Sequence, residues 1–167
     1  VPPFEYLSIN NSGANVTTNI SLTANTRLQM NAGKLLIGNN NITIGSSGII
    51  DLGNENTYIV TNGTGYVSQT VNGGNDWFPV GPSTSAFGPV TLNQSGTGET
   101  INVRVINVAG LAAPSYQNAV NDTTQMVKME WVMNESVAGA NSLRTTFGWQ
   151  GAGTSGSSNI EGSGFDR

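Results

Sequence analysis

The 167-residue chain contains no cysteine and no histidine, and only 10% of its side chains are charged. The first absence excludes disulfide scaffolds, thiol redox chemistry and zinc fingers. The second removes any catalytic triad that relies on an imidazole base. Six basic residues against ten acidic ones, for a net charge of −4, leave no electrostatic footprint for nucleic acid. Long apolar runs are missing as well. Leu35-Leu36-Ile37 is among the longest, far short of the roughly 20 residues a membrane helix needs. Val1-Pro2-Pro3 is neither basic nor the start of a hydrophobic stretch, so the chain reads as a mature, processed segment without a signal peptide.

What is present is neutral and polar: 22 Asn, 18 Thr, 16 Ser and 22 Gly. A typical soluble domain carries roughly 25% charged residues, so amide and hydroxyl groups must solvate this surface. Such a composition points to an exported, extracellular or cell-surface β-protein.

The first half carries a repeat of about 22 residues. Ile20 recurs as Ile42, Leu22 as Ile44, Leu28 as Ile50, Met30 as Leu52 and Ile37 as Ile59. At an offset of 21, Leu7 and Ile9 land on Leu28 and Met30. Most of these residues have an apolar neighbour two positions away, the alternation of a short half-buried strand. Between them lie Asn-Ala-Gly (31–33), Gly-Asn-Asn-Asn (38–41), Gly-Ser-Ser-Gly (45–48) and Gly-Asn-Glu-Asn (53–56), which are corner signals. Three short strands per rung predict a right-handed parallel β-helix over residues 1–71. An evenly spaced antiparallel sandwich is the competing reading. A downstream cap is expected to begin near Tyr58, with strand, Asn-Gly turn and strand over 58–67. Asn39-Asn40-Asn41 is expected either to ladder between rungs or to supply positive φ at a corner.

From residue 72 the strands lengthen. Ile101, Val103 and Val105 alternate with Asn102 and Arg104; Val127, Met129, Trp131 and Met133 alternate with Lys128 and Glu130. Leu143, Thr145, Phe147 and Trp149 form a third such run. This pattern predicts an antiparallel β-sandwich over 72–167. Residues 151–164 read as a Gly/Ser-rich loop, and Phe165 as the start of a strand the sandwich still lacks.

One resemblance is carried by an ordered set of segments: 35–45 (Leu-Leu-Ile-Gly-Asn-Asn-Asn-Ile-Thr-Ile-Gly), 58–65, Phe78-Pro-Val-Gly, Pro89-Val-Thr-Leu, Ser95-Gly-Thr, and Ile101-Asn-Val-Arg-Val. Met129-Glu-Trp, Leu143 to Gln150 and Gly164-Phe-Asp-Arg extend it. Over residues 28–167 the chain resembles β-rich surface and secreted modules of Bacteroidota exported by the type IX secretion system. The resemblance implies an extracellular place and a structural, adhesive or filament-forming role, with no catalytic activity. It also implies that strands continue past Phe165.

Candidate chemistry is sparse. Asp51 and Glu55 are the only acids between Glu5 and Asp76, and neither has an acidic counterpart one rung away. No catalytic residue, metal site or cofactor is assigned. Calcium at Asp51, Asn54 and Glu55 is a minor alternative that lacks the six to eight oxygens such an ion prefers. Trp77 and Tyr66 are candidate sugar-stacking residues; Trp131 and Trp149 fall in phase with core positions. Eight Asn-x-Ser/Thr sequons and an Asp122-Thr123-Thr124 motif, with Thr123 as acceptor, mark possible glycosylation.

The reading favoured by these features is a non-enzymatic structural subunit of a filament, adhesin stalk or surface coat. Its expected partners are copies of itself or neighbouring modules of the same polypeptide, and surface glycans are a further possible partner. The expected modes of assembly are β-strand edges, open solenoid ends or strand donation, the last by Val1–Ile9 with Phe4 and Tyr6 as anchors; Phe4, Tyr6, Ile9 and Phe165 are the candidate assembly residues. A carbohydrate-binding module of a secreted enzyme is the alternative.

Overall fold

The structure, a computed structural model, describes residues 3–107, 129–136 and 142–149. It is all-β, a parallel β-solenoid of about four turns followed by antiparallel sheets. Thr123, Phe165 and the expected loop at 151–164 lie outside the described residues.

The solenoid is built from β1 (Phe4–Asn10), β2 (Val16–Thr17), β3 (Leu22–Ala32), β4 (Leu35–Leu36), β5 (Ile42–Ile44), β6 (Ile49–Leu52), β7 (Ile59–Val60), β8 (Val67–Val71) and, after the short β9 (Asn75–Phe78), β10 (Val80–Gly81). One face stacks β1, β3, β5 and β8, with β6 also on β3; the other stacks β2, β4, β7 and β10. Every stacked pair is parallel. Apolar columns result. Leu7 lies on Leu28 and Leu28 on Ile50, while Val16, Leu35, Ile59 and Val80 form a second column.

The repeat is real but its length is not constant. Leu28 pairs with Ile50 and Met30 with Leu52, as the 22-residue period predicts, and Leu7 and Ile9 pair with Leu28 and Met30. Three expected matches are shifted. Leu22, not Ile20, stacks on Ile42; Ala24, not Leu22, stacks on Ile44; and Leu35, not Ile37, stacks on Ile59. Ile20 stays 47% exposed at a corner. The physical reason lies in the corners. Stacking is fixed by backbone hydrogen bonds and the pleat, so turns of different length absorb the difference. The Asn54–Thr57 turn, closed by reciprocal backbone bonds of 2.9 and 3.0 Å, is one such insertion.

The Asn-rich corner is held by bonds between rungs. Asn39 Oδ1 accepts from the Thr64 N–H at 3.1 Å and Asn41 Oδ1 from the Tyr66 N–H at 3.0 Å, while Asn40 Nδ2 donates to the Thr18 carbonyl. Among the described non-glycine residues only Leu52 has a positive φ, so these asparagines are not there for a left-handed backbone. Their amides link a corner to the backbone of its neighbours, a side-chain-to-backbone version of the ladder. Gly65 completes the contact: its α-carbon sits against the Asn40 carbonyl so closely that no β-carbon fits.

The cap differs from the expected 58–67 hairpin. β7 and β8 both remain parallel solenoid strands, and in the sheet of β8 the antiparallel switch comes with β12 (Glu99–Asn107). β12 lies antiparallel on β8 and carries β13 (Met129–Glu135). β11 (Val90–Ser95) pairs antiparallel with β9 and with β14 (Ser142–Phe147). Beyond the start of β8, where the ladder to β12 ends at Val67–Val103, the Thr61 hydroxyl replaces a missing strand partner. It donates to the Val105 carbonyl at 2.8 Å and accepts from the Val105 N–H at 2.9 Å, fully buried. A single apolar cluster runs from Ile9 through Val71 to Ile101, Val103 and Val105, with Trp131, Met133, Leu143 and Phe147 packed against it. Tyr58, Val60 and Phe87 form a second, smaller cluster. Burial pushes the Tyr58 hydroxyl up to about 12, so it stays a donor to the Ser83 carbonyl at 2.6 Å.

Candidate assembly surface at the first rung

β1 is drawn into the solenoid by its apolar residues. Ile9 is buried and Leu7 half-buried, both inside the cluster that the next rungs continue. Ser8 accepts a hydrogen bond from Asn31 Nδ2 at 2.8 Å on the outer side. At Glu5 the register slips, because Phe4 pairs with Ala24 and Tyr6 with Arg27. The Glu5 carboxylate bridges this irregularity, accepting from Asn25 Nδ2 and Thr26 Oγ1, each at 3.0 Å. Those two bonds hold its pKa below the ordinary 4.5, the one from Asn25 contributing most.

The other edge of β1 has no strand partner among the described residues, and the same is true of β2. Both faces of the solenoid therefore end at one rung with open backbone edges. Phe4 and Tyr6 flank that edge at 39% and 68% exposure. Ile9 does not join them, since it belongs to the molecule's own core. The strand-donor expectation for residues 1–9 needs correcting on this point: β1 is already paired within its own chain, so its open edge is what it can offer a neighbour.

On the outer face, register places Tyr6, Arg27 and Ile49 in one row and Ser8, Gln29 and Asp51 in another. Arg27 pairs with Asp51 at 3.5 Å, both partly exposed. Sequence reasoning named Tyr6 but missed this row, because its members lie about one rung apart and only the paired strands bring them together.

Comparison with known proteins adds nothing to this geometry. The chain matches no family model, no curated protein and no solved structure.

The sugar-stacking pair is not a shared platform. Trp77 on β9 packs edge-on to Phe87 at 6.2 Å between centroids, whereas the Tyr66 ring lies under the Arg104 guanidinium at 5.0 Å. Each ring is half-buried against its own partner. Asp76 and the calcium candidate Asn54 are engaged as well. Asp76 accepts from Gln69 Nε2 and the Asn72 N–H, and Asn54 Oδ1 accepts from the Asn56 N–H. Among the described residues, no three His, Cys, Asp or Glu side chains converge as a metal site. An open cleft of about 490 Å³ lies where residues 11–15, 31–34 and 56–57 meet. Its cation, Lys34, donates to the Asn56 carbonyl at 3.2 Å and stands 5.0 Å over the Tyr58 ring.

Proposed function

We propose that this chain is a non-enzymatic structural subunit or module of an extracellular filament, adhesin stalk or surface coat. It joins copies of itself, or neighbouring modules of the same polypeptide, through β-strand edges. The observation that carries the reading is the first rung, where β1 and β2 both present unpaired edges among the described residues. Exposed edges are templates for further strands, and proteins that must stay monomeric blunt them with charge, proline or a covering segment. Within β1 itself there is no proline, its one charge, Glu5, is turned to its own neighbours, and among the described residues no strand covers its outer edge. A chain with only 10% charged residues also offers little repulsion between copies. Support for an exported location is the composition and the resemblance to type IX secretion cargo.

The test is sedimentation and electron microscopy over a concentration series, comparing the parent with a Tyr6→Lys/Ser8→Lys variant. Assembly of the parent and its loss in the variant, with thermal stability kept, is the expected result. A parent that stays monomeric at high concentration discards the reading.

A second reading, carbohydrate binding, is favoured by one observation. Tyr6 is the most exposed large hydrophobic residue described, and it lies beside Arg27, which is itself paired with Asp51. An aromatic face next to planar hydrogen-bonding groups suits a neutral sugar. Saturable polysaccharide binding that Tyr6→Ala abolishes would promote this reading over the first.

A further inference from the structure

Resting on the assembly reading, we infer that the edge of β1 left without a strand partner among the described residues takes the corresponding edge of β13 from a second copy of this chain, in parallel and head to tail. Strand direction is the first argument. β1, β3, β5 and β8 run parallel; β12 reverses direction on β8, and β13 reverses it again on β12. Two reversals leave β13 running the same way as β1, at the opposite end of one sheet whose order is β1-β3-β5-β8-β12-β13. Among the described residues, β13 pairs with β12 alone in that sheet. Adding β1 of the next molecule beyond β13 therefore extends the sheet with a parallel pair, the pairing the solenoid already uses.

Length and side-chain phase agree. Both strands have seven residues. With Tyr6 beside Glu130, the regular stretch Tyr6–Ile9 lies along Glu130–Met133. Leu7 then meets Trp131 and Ile9 meets Met133, and all four belong to or pack against the apolar cluster. Tyr6 and Ser8 meet Glu130 and Val132 on the outer face. Glu5 falls beside Met129, so no two carboxylates stand directly opposite. A slip of one residue would put apolar side chains on the solvent face.

The alternative contact between copies is β1 against β1 across a two-fold axis. That arrangement is isologous and closes at two molecules, whereas a contact between different strands repeats, into a ring or an open filament according to its rotation. Only the second can build a filament from one interface.

A chain with no cysteine makes the test clean. Two singly substituted proteins, Ser8→Cys and Val132→Cys, are each shown to assemble like the parent and to react with a maleimide dye. They are then treated with a short thiol-to-thiol crosslinker, separately and mixed. The inference predicts a crosslinked dimer only in the mixture, and a ladder of higher species from the double variant. Dimers from Ser8→Cys alone, with the double variant stopping at two, would establish the two-fold contact and overturn it. Assembly without any crosslink would overturn it too, by placing the interface elsewhere. A monomeric parent would instead be the failure of the assembly reading itself. If Val132→Cys disturbs β13, the pair Asn10→Cys and Asn134→Cys on the same two strands repeats the experiment.

Discussion

A β-carbon at position 65 would collide with the Asn40 carbonyl of the rung beneath, whereas one at position 13 would meet nothing within 4 Å. Gly65→Ala should therefore lower stability by about 3 kcal/mol and Gly13→Ala by less than about 0.5, read from denaturant unfolding. Equal effects would mean that the corners do not stack as described. Thr61 makes a similar point for polar groups. Its hydroxyl serves both backbone groups of Val105, so Thr61→Val keeps the shape and strands a buried N–H, at a cost of about 2 kcal/mol. Sequence reading found the right residues at the corners but left the role of the asparagines open between a ladder and positive φ. A left-handed corner and a corner that bonds its neighbour use the same residue types, and only the distances separate them.

At the scale of a strand, β1 belongs to the fold through one side and faces outward with the other. Ile9→Ala, in the buried column over Met30, should cost about 2–4 kcal/mol. Tyr6→Ala, largely exposed, should leave stability within about 0.5 kcal/mol. The contrast separates the structural side of β1 from its outer side. Acid should loosen the same strand. Glu5 has its folded pKa lowered by Asn25 and Thr26, so its contribution is present above the unfolded value of 4.5 and is lost as pH falls through the lower folded one. A melting temperature that drops more on acidification in the parent than in Glu5→Gln would bear this out; parallel curves would not. The columns Leu7–Leu28–Ile50 and Ile9–Met30 were legible because alternation and spacing coincide there. Ile20 and Ile37 misled because an apolar residue at a corner looks, in a period count, like one in a strand. Which strand reverses direction on β8 leaves no mark in alternation, since parallel and antiparallel strands both alternate with a period of two.

At the scale of the molecule, one end of the solenoid carries antiparallel strands, and at the other the first rung has no further strand among the described residues. The sequence disclosed the two kinds of architecture, the apolar alternation within each and the scarcity of charge. It could not disclose which strand becomes an edge, because pairing partners lie 19 to 25 residues apart in the solenoid and are set by corner lengths. It also could not show that Trp77 and Tyr66 face different neighbours. The most direct measurement of the central claim is backbone amide hydrogen exchange along β1, compared between dilute and concentrated protein. Assembly through the first rung predicts that amides of Phe4–Asn10 become protected as particles grow, while exchange in β5 and β7 stays unchanged. Growth of particles with β1 exchange unaltered would contradict the account.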